Sequence, residues 1–262
     1  MQVKFTKMHG LGNDFVVTDT ISQPIPLEKL SFAQLANRHT GIGFDQFLLI
    51  KPSQTVDFYC QIFNSDGTEA EQCGNGMRCV GRYITESGLS PKKALSIETK
   101  AGLTYVDIQD FEHIQVNLGV PVLETSAEIL VDAHPITLSI LSLGNPHAIM
   151  EVQSVERFPV SKLGPKISQD DLFPQGVNIG FMEVINRQHI KLRTFERGAG
   201  ETLACGSNSC AAVIAGIDSG LLDHKVRVEL ALGSLWIEWE GKDKPVIMTG
   251  PAARTFEGII KI

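Results

Sequence analysis

The feature that most constrains this chain is that it repeats itself. Cys205 follows Cys73 by 132 residues, and the same offset recurs along the sequence. The run Cys73-Gly74-Asn75-Gly76-Met77-Arg78-Cys79 echoes Cys205-Gly206-Ser207-Asn208-Ser209-Cys210. Leu11-Gly12-Asn13 matches Leu143-Gly144-Asn145, Phe63-Asn64 falls on Phe195-Glu196, and Glu69 falls on Glu201. Ser87-Gly88-Leu89 matches Ser219-Gly220-Leu221, and Gln46 lies opposite Asn178. One coincidence would mean nothing; several in one register, polar pairs among them, indicate duplication. The chain therefore reads as two pseudo-symmetric halves. Residues 1–118 carry Cys73; residues 119–262 carry Cys205 and end in a tail, 251–262, that packs back on the first half. Gly119-Val120-Pro121 and Gly250-Pro251 are equivalent breakers. Such halves are expected to set Cys73 opposite Cys205 across a cleft.

Strand patterns dominate both halves. Residues 44–51, 56–64, 96–99, 103–108 and 114–118 read as strands in the first. Residues 177–185, 190–195, 226–230, 235–239 and 246–248 do so in the second, several alternating apolar with polar. Helical spacing appears at 30–37 and directly after each of the paired cysteines, through Met77, Val80, Gly81 and Ile84 and through Ser209, Ala212, Val213 and Ile217. Gly88 and Gly220 supply matched helix stops. The predicted class is α+β, each half a barrel-like antiparallel or mixed sheet around a central helix.

Composition removes other classes. A formal net charge of -7 is unsuited to nucleic acid or an anionic membrane surface. No apolar run approaches the roughly 18 residues of a membrane span, and residues 1–17 lack a signal pattern, so a cytoplasmic protein is expected. Five cysteines, an odd number, do not form a disulfide framework, and their C-x5-C and C-x4-C spacings do not suit zinc. Gly10-Leu11-Gly12 and Gly41-Ile42-Gly43 each lack the third glycine of a dinucleotide fingerprint, and the seven histidines form no H-E-x-x-H.

The cysteines then separate. Cys60 lies in an apolar strand, and Cys79 and Cys210 lie within helices; all three read as core packing. Cys73 and Cys205 stand at helix starts flanked by small residues. There the unpaired N–H groups and the macrodipole favour a thiolate, so a lowered pKa is expected, and they also favour a substrate carboxylate. Two such sites can offer sulfur to both faces of one carbon. One thiolate takes a proton, the opposite thiol returns one, and helix N–H groups stabilise the carbanion between.

The sequence resembles the diaminopimelate epimerase family over nearly its whole length. The resemblance rests on His9-Gly10-Leu11-Gly12-Asn13-Asp14-Phe15, Gly43-Phe44-Asp45-Gln46, Asn64-Ser65-Asp66-Gly67 and Cys73-Gly74-Asn75-Gly76. It continues through Gly144-Asn145-Pro146-His147 and Gly176-Val177-Asn178. The longest match is Glu196-Arg197-Gly198-Ala199-Gly200-Glu201-Thr202-Leu203-Ala204-Cys205-Gly206. It implies conversion of LL-2,6-diaminopimelate to the meso form, with Cys73 and Cys205 as acid and base, no cofactor and no metal. It implies substrate contacts from Asn13, Gln46, Asn64, Gly74, Asn75, Asn145, Asn178, Glu196, Arg197, Gly206 and Ser207, with His147 and Glu196 assisting. It also implies a homodimer. Two departures stand out: Asn208 and Ser209 replace a small pair after Cys205, and Phe256 stands where the family often has a tyrosine at the dimer contact.

Without the resemblance, the residues leave other readings open. They are a proline or hydroxyproline racemase, a thiol redox protein, and an amino-acid binding module without catalysis.

Overall fold

The computed structural model describes Gln2–Lys261 and divides into two compact units, Met1–Val116 with Gly250–Ile262, and Asn117–Thr249. The first begins with a hairpin of β1 (Gln2–Gly10) and β2 (Asn13–Asp19), registered Gly10 to Asn13. Its two-residue turn has φ 54° at Leu11 and 95° at Gly12, the left-handed pair that matches strand twist. Helix α1 (Phe32–Ala36) leads to β3 (Gln46–Pro52), which lies parallel to β2. Then come β4 (Phe58–Asn64), β5 (Glu69–Ala70), α2 (Gly74–Glu86), β6 (Ala94–Thr99), β7 (Gly102–Ile108) and β8 (Ile114–Asn117). β4 and β6 run parallel, and α2 is the crossover between them.

The second unit repeats this plan. It holds β9 (Val122–Leu123), β10 (Ala127–Val131), β11 (His134–Ser142), β12 (Pro146–Glu151) and α3 (Val160–Ser168). It continues with β13 (Asn178–Asn186), β14 (His189–Glu196), β15 (Gly200–Thr202) and α4 (Gly206–Asp218). β16 (Lys225–Leu230), β17 (Gly233–Glu238) and β18 (Ile247–Gly250) close it. β12 runs parallel to β13 and β14 to β16, with α4 as the second crossover. The two central helices are displaced by the repeat offset at both ends, 206 − 74 = 132 and 218 − 86 = 132. The class is α+β, as the sequence predicts.

Both crossover helices are buried, and this explains their composition. Gly74 to Val80 and Gly206 to Ala215 hold small or apolar residues at most positions, because strands pack on several sides. Gly81 lets α2 approach β7: a Cβ there would meet Val106 at 2.8 Å. The last strand, β19 (Ala253–Lys261), pairs antiparallel with β1. The segment before it is tied to α2, since Arg78 Nε donates to the Pro251 carbonyl at 3.0 Å and Arg82 Nη1 to that of Ala252 at 2.7 Å. Phe256 on β19 is 46% exposed and meets the Phe5 ring edge-on.

Several elements were not anticipated from sequence: β1, β2, β5, β9, β10, β11, β12, β15, β19 and α3. Helix α3 contains Pro165 and Gly164, both poor helix formers, so its local signal is weak. Tertiary packing supplies what propensity lacks, because the Phe195 ring of β14 lies where a Gly164 side chain would be, 2.5 Å from its Cβ position. Gly164→Ala should therefore destabilise the protein by about 1–3 kcal/mol through overpacking, despite the better helix propensity of alanine. A lowered urea midpoint, with the far-ultraviolet spectrum unchanged, is the expected result.

Candidate active site

Cys73 is the N-cap of α2, with extended backbone angles of φ -149° and ψ 103°. The Gly76 N–H donates to its sulfur at 3.4 Å, which fixes Sγ over the first turn. The Cys73 thiol in turn lies 3.8 Å from Asn13 Oδ1, and Asn75 Nδ2 donates to that same oxygen at 3.3 Å. Asn13, Cys73 and Asn75 are thus one hydrogen-bonded group.

A charged clamp orients Asn13. Its Nδ2 donates to Asp45 Oδ2 at 2.8 Å, and the Asp14 N–H reaches the same oxygen at 3.1 Å. Arg38 donates to both oxygens of Asp14, at 2.8 and 2.9 Å, and to Asp45 at 2.8 Å. Lys7 donates to Asp14 and to the Gly43 carbonyl. Burial opposes ionisation of Asp14, yet the Arg38 and Lys7 charges outweigh it and hold the carboxyl at about 2. Sequence reading missed this clamp, although Asp14 and Asp45 sit in the motifs it quoted. Their spacing of 31 residues gives no local sign of pairing. Gln46 and Asn64 are cross-strand partners in the β3–β4 ladder, with Gln46 Nε2 donating to Asn64 Oδ1 at 3.0 Å.

In the second unit Cys205 caps α4, with φ -125° and ψ 114°. Its Sγ lies 3.5 Å from Ser207 Oγ. The expectation of a lowered pKa fails for this residue. Burial pushes the thiol well above its usual value, and the Glu196 carboxylate adds to this, while Ser207 opposes both. The reason is one of magnitude. A helix terminus stabilises a charge by at most about 2 kcal/mol. Full burial penalises it by up to about 4–7 kcal/mol. Cys205 is accordingly a protonated thiol. Thr202 Oγ1 donates to Glu196, anchoring that carboxylate.

His147 is fully buried, with Nε2 3.0 Å from Asn145 Oδ1. Burial lowers its pKa from 6.5 to about 3, so it is a neutral imidazole whose Nε2–H donates to Asn145. Asn178 Nδ2 donates to the Pro146 carbonyl at 3.4 Å, and its Oδ1 accepts from the Arg197 N–H at 3.0 Å. The Arg197 side chain is exposed, with Nη1 donating to the Gln175 carbonyl at 2.9 Å. Gly74 and Gly206 are the first residues of their helices and carry no side chain over the unpaired N–H groups. Cys60, Cys79 and Cys210 are fully buried, and burial pushes the Cys79 thiol up to about 12.

With this geometry in place, comparison with known proteins is decisive about lineage. A family model described as diaminopimelate epimerase matches residues 5–124 and 139–255. The chain belongs to the diaminopimelate epimerase family. A diaminopimelate epimerase of Stutzerimonas stutzeri (strain A1501) is 48% identical over 276 residues, covering 100% of both chains. One of Nitrosomonas europaea is 44% identical over 275 residues, again covering 100% of both. Among solved structures, a Bacillus anthracis phenazine biosynthesis protein of the PhzF family shares the fold at TM-score 0.77 and 19% identity, covering 100% of each chain. A hydroxyproline epimerase from Agrobacterium vitis does so at TM-score 0.74 and 15% identity, covering 99% of this chain and 92% of its own. These last two establish the shared fold alone.

The buried imidazole gives the site a pH signature. The unfolded chain protonates His147 near 6.5, whereas the folded chain resists until about 3. Stability present above pH 6.5 is therefore lost as pH falls toward 3, and Asp14 adds a second loss between 3.8 and about 2. His147→Gln should flatten the upper part of that fall, read as urea midpoint against pH, and leave the lower part.

Proposed function

We propose that the protein interconverts LL- and meso-2,6-diaminopimelate without a cofactor, using Cys73 and Cys205 as the acid and base. The observation that carries this reading is the equivalence of the two thiols. Each is the N-cap of a buried crossover helix at the same repeat position, in a member of this family.

One thiolate removes the α-proton, and its sulfur becomes a thiol. The electron pair stays on carbon, delocalised into the α-carboxylate, whose charge is met by N–H groups of the helix first turns. The other thiol delivers its proton to the opposite face and becomes the thiolate. Cys205, protonated in the free protein, begins as donor. When it must serve as base, Glu196 is the group placed to take its proton. His147 stays neutral and acts by holding Asn145 through Nε2–H. Asn13, clamped by Asp45, plays the corresponding part beside Cys73.

The remaining contacts suit the distal end of the substrate. Arg197 supplies a guanidinium for the second carboxylate. Gln46, Asn64, Asn75, Asn178, Gly74, Gly206 and Ser207 supply amide, hydroxyl and backbone groups for the rest. Recognition of both distal groups would reject lysine, which lacks the carboxylate. A cytoplasmic homodimer belongs to the same reading. Exposed Phe256 on β19, edge-on to Phe5, gives it an apolar contact, and light scattering of the purified protein tests it.

The direct test is NMR of LL-diaminopimelate in D2O with reduced protein and no added cofactor. Formation of the meso isomer with α-deuterium, abolished in Cys73→Ala and in Cys205→Ala, is expected. Product from either variant at the parent rate would sink the two-thiol mechanism. Arg197→Met should raise KM by about 10-fold or more through loss of a charged bidentate contact, with a smaller effect on kcat.

A further inference from the structure

The α4-facing side of the second unit is polar where the first unit is hydrocarbon. The ladders define that face. His147 pairs with Asn178 and Ile149 with Gly180 between β12 and β13, and Gly180 pairs with Thr194 between β13 and β14. Residues opposite one another share a face, as do alternate residues of one strand. A Cβ on Gly180 would lie 2.7 Å from Asn208 Oδ1 and 2.7 Å from Ile149 Cδ1, so this face is covered by the first turn of α4.

His147 and Thr194 therefore lie on the sheet face that Asn208 covers at Gly180, and the three are 0%, 1% and 0% exposed. His147 Nδ1, Thr194 Oγ1 and both polar atoms of the Asn208 amide have no hydrogen-bond partner among the described residues. The positions 132 residues earlier are Phe15, Ile62 and Gly76, with Leu48 in place of Gly180. Leu48 there fills the space beneath Gly76, 3.2 Å from its Cβ position.

Buried polar atoms in folded proteins are nearly always paired, with protein or with ordered water. His147 Nε2–H is committed to Asn145, so Nδ1 needs a donor. Thr194 Oγ1 and the Asn208 amide supply the further donors and acceptors that a buried water requires. β14 is bordered by β16 up to Lys191 and by β15 from Thr194 onward, and Thr194 is among the residues lining a surface cavity of about 470 Å³ there, its hydroxyl being closed off on the inner side.

We propose that the second unit binds structural water between Asn208, Thr194 and His147, and that this water holds His147 in the tautomer that orients Asn145. Asn208 and Thr194 are then positioning residues, acting through water and the imidazole. The first unit, packed with Phe15, Ile62 and Leu48, binds none at the equivalent place. The consequence for Asn145 as a substrate contact rests on the proposed function; the water site does not.

Near-isosteric removal of the polar atoms decides the matter without an activity assay. If the atoms truly lack a partner, Thr194→Val and Asn208→Leu are as stable as the parent or more so. If they bind water, each lowers the urea midpoint, and the double variant lowers it by less than the two together, because the site is shared. A high-resolution crystal structure of the reduced parent should show solvent within hydrogen-bond distance of Thr194 Oγ1 and the Asn208 amide. In protein with 15N-labelled histidine, the His147 Nδ1 resonance should move toward that of an imine nitrogen without a hydrogen bond in T194V. Should N208L fail to fold, T194V and the parent density suffice. Dry density in the parent, or T194V as stable as the parent with an unmoved Nδ1 resonance, overturns the proposal.

Discussion

The arrangement depends on one constraint, the need of parallel strands for a crossover. β4 and β6, and again β14 and β16, run parallel, so the chain must cross the sheet between them. In each unit it does so with a helix packed among the strands, and the helix N-terminus is thereby buried. A buried N-terminus has orphan N–H groups that water cannot satisfy freely. A cysteine at that cap, followed by glycine, meets the N–H groups with sulfur and leaves them approachable by a ligand. The chemistry of both thiols follows from where a crossover helix has to begin.

The same burial sets the character of each site. At Cys205 it outweighs the helix dipole and keeps the proton on sulfur, with Glu196 reinforcing the effect. The two units then hold their equivalent asparagines by different means. Asn13 is fixed by Asp45 within a network of Arg38, Asp14 and Lys7, where cations outweigh the burial of carboxylate. Asn145 is fixed by an imidazole that burial keeps uncharged. One solution uses charge at a half-exposed rim, and the other excludes charge from a closed interior. A duplicated fold has kept the amide in place while replacing the physics that holds it.

Much of this was legible in the sequence because repetition is a long-range signal that survives weak local propensity. The offset of 132 placed both helices between the paired cysteines and the paired glycine stops, and they run from the residue after each cysteine to two residues before each glycine. The central strands were readable from apolar runs. The hairpin of β1 and β2 was not, although its motif was recognised, because buried Thr6, Lys7 and Thr18 are polar where burial would be signalled by apolar residues. Thr6 and Thr18 are buried polar residues, and Thr18 Oγ1 donates to the Lys4 carbonyl at 2.8 Å. Helix α3 was hidden by Gly164 and Pro165. The Asp14–Asp45 clamp joins residues far apart in sequence, and the direction of the Cys205 pKa depends on burial that no local motif encodes.

Asn208 shows how far sequence comparison carries before packing takes over. As a departure from a small residue, it adds bulk and an amide at the start of α4. The structure resolves this through an exchange of volume across the helix–sheet contact. Beneath Gly76 the sheet presents Leu48, whereas beneath Asn208 it presents Gly180. Cores tolerate substitution when total volume is conserved, and here a large side chain has moved from strand to helix. The exchange preserves packing but not polarity, since an amide now occupies what a hydrocarbon filled. A buried amide requires partners, and the neighbouring positions have become Thr194 and His147 where the first unit keeps Ile62 and Phe15. Volume alone explains why Asn208 fits; only the polarity of its neighbours explains why an amide there is affordable.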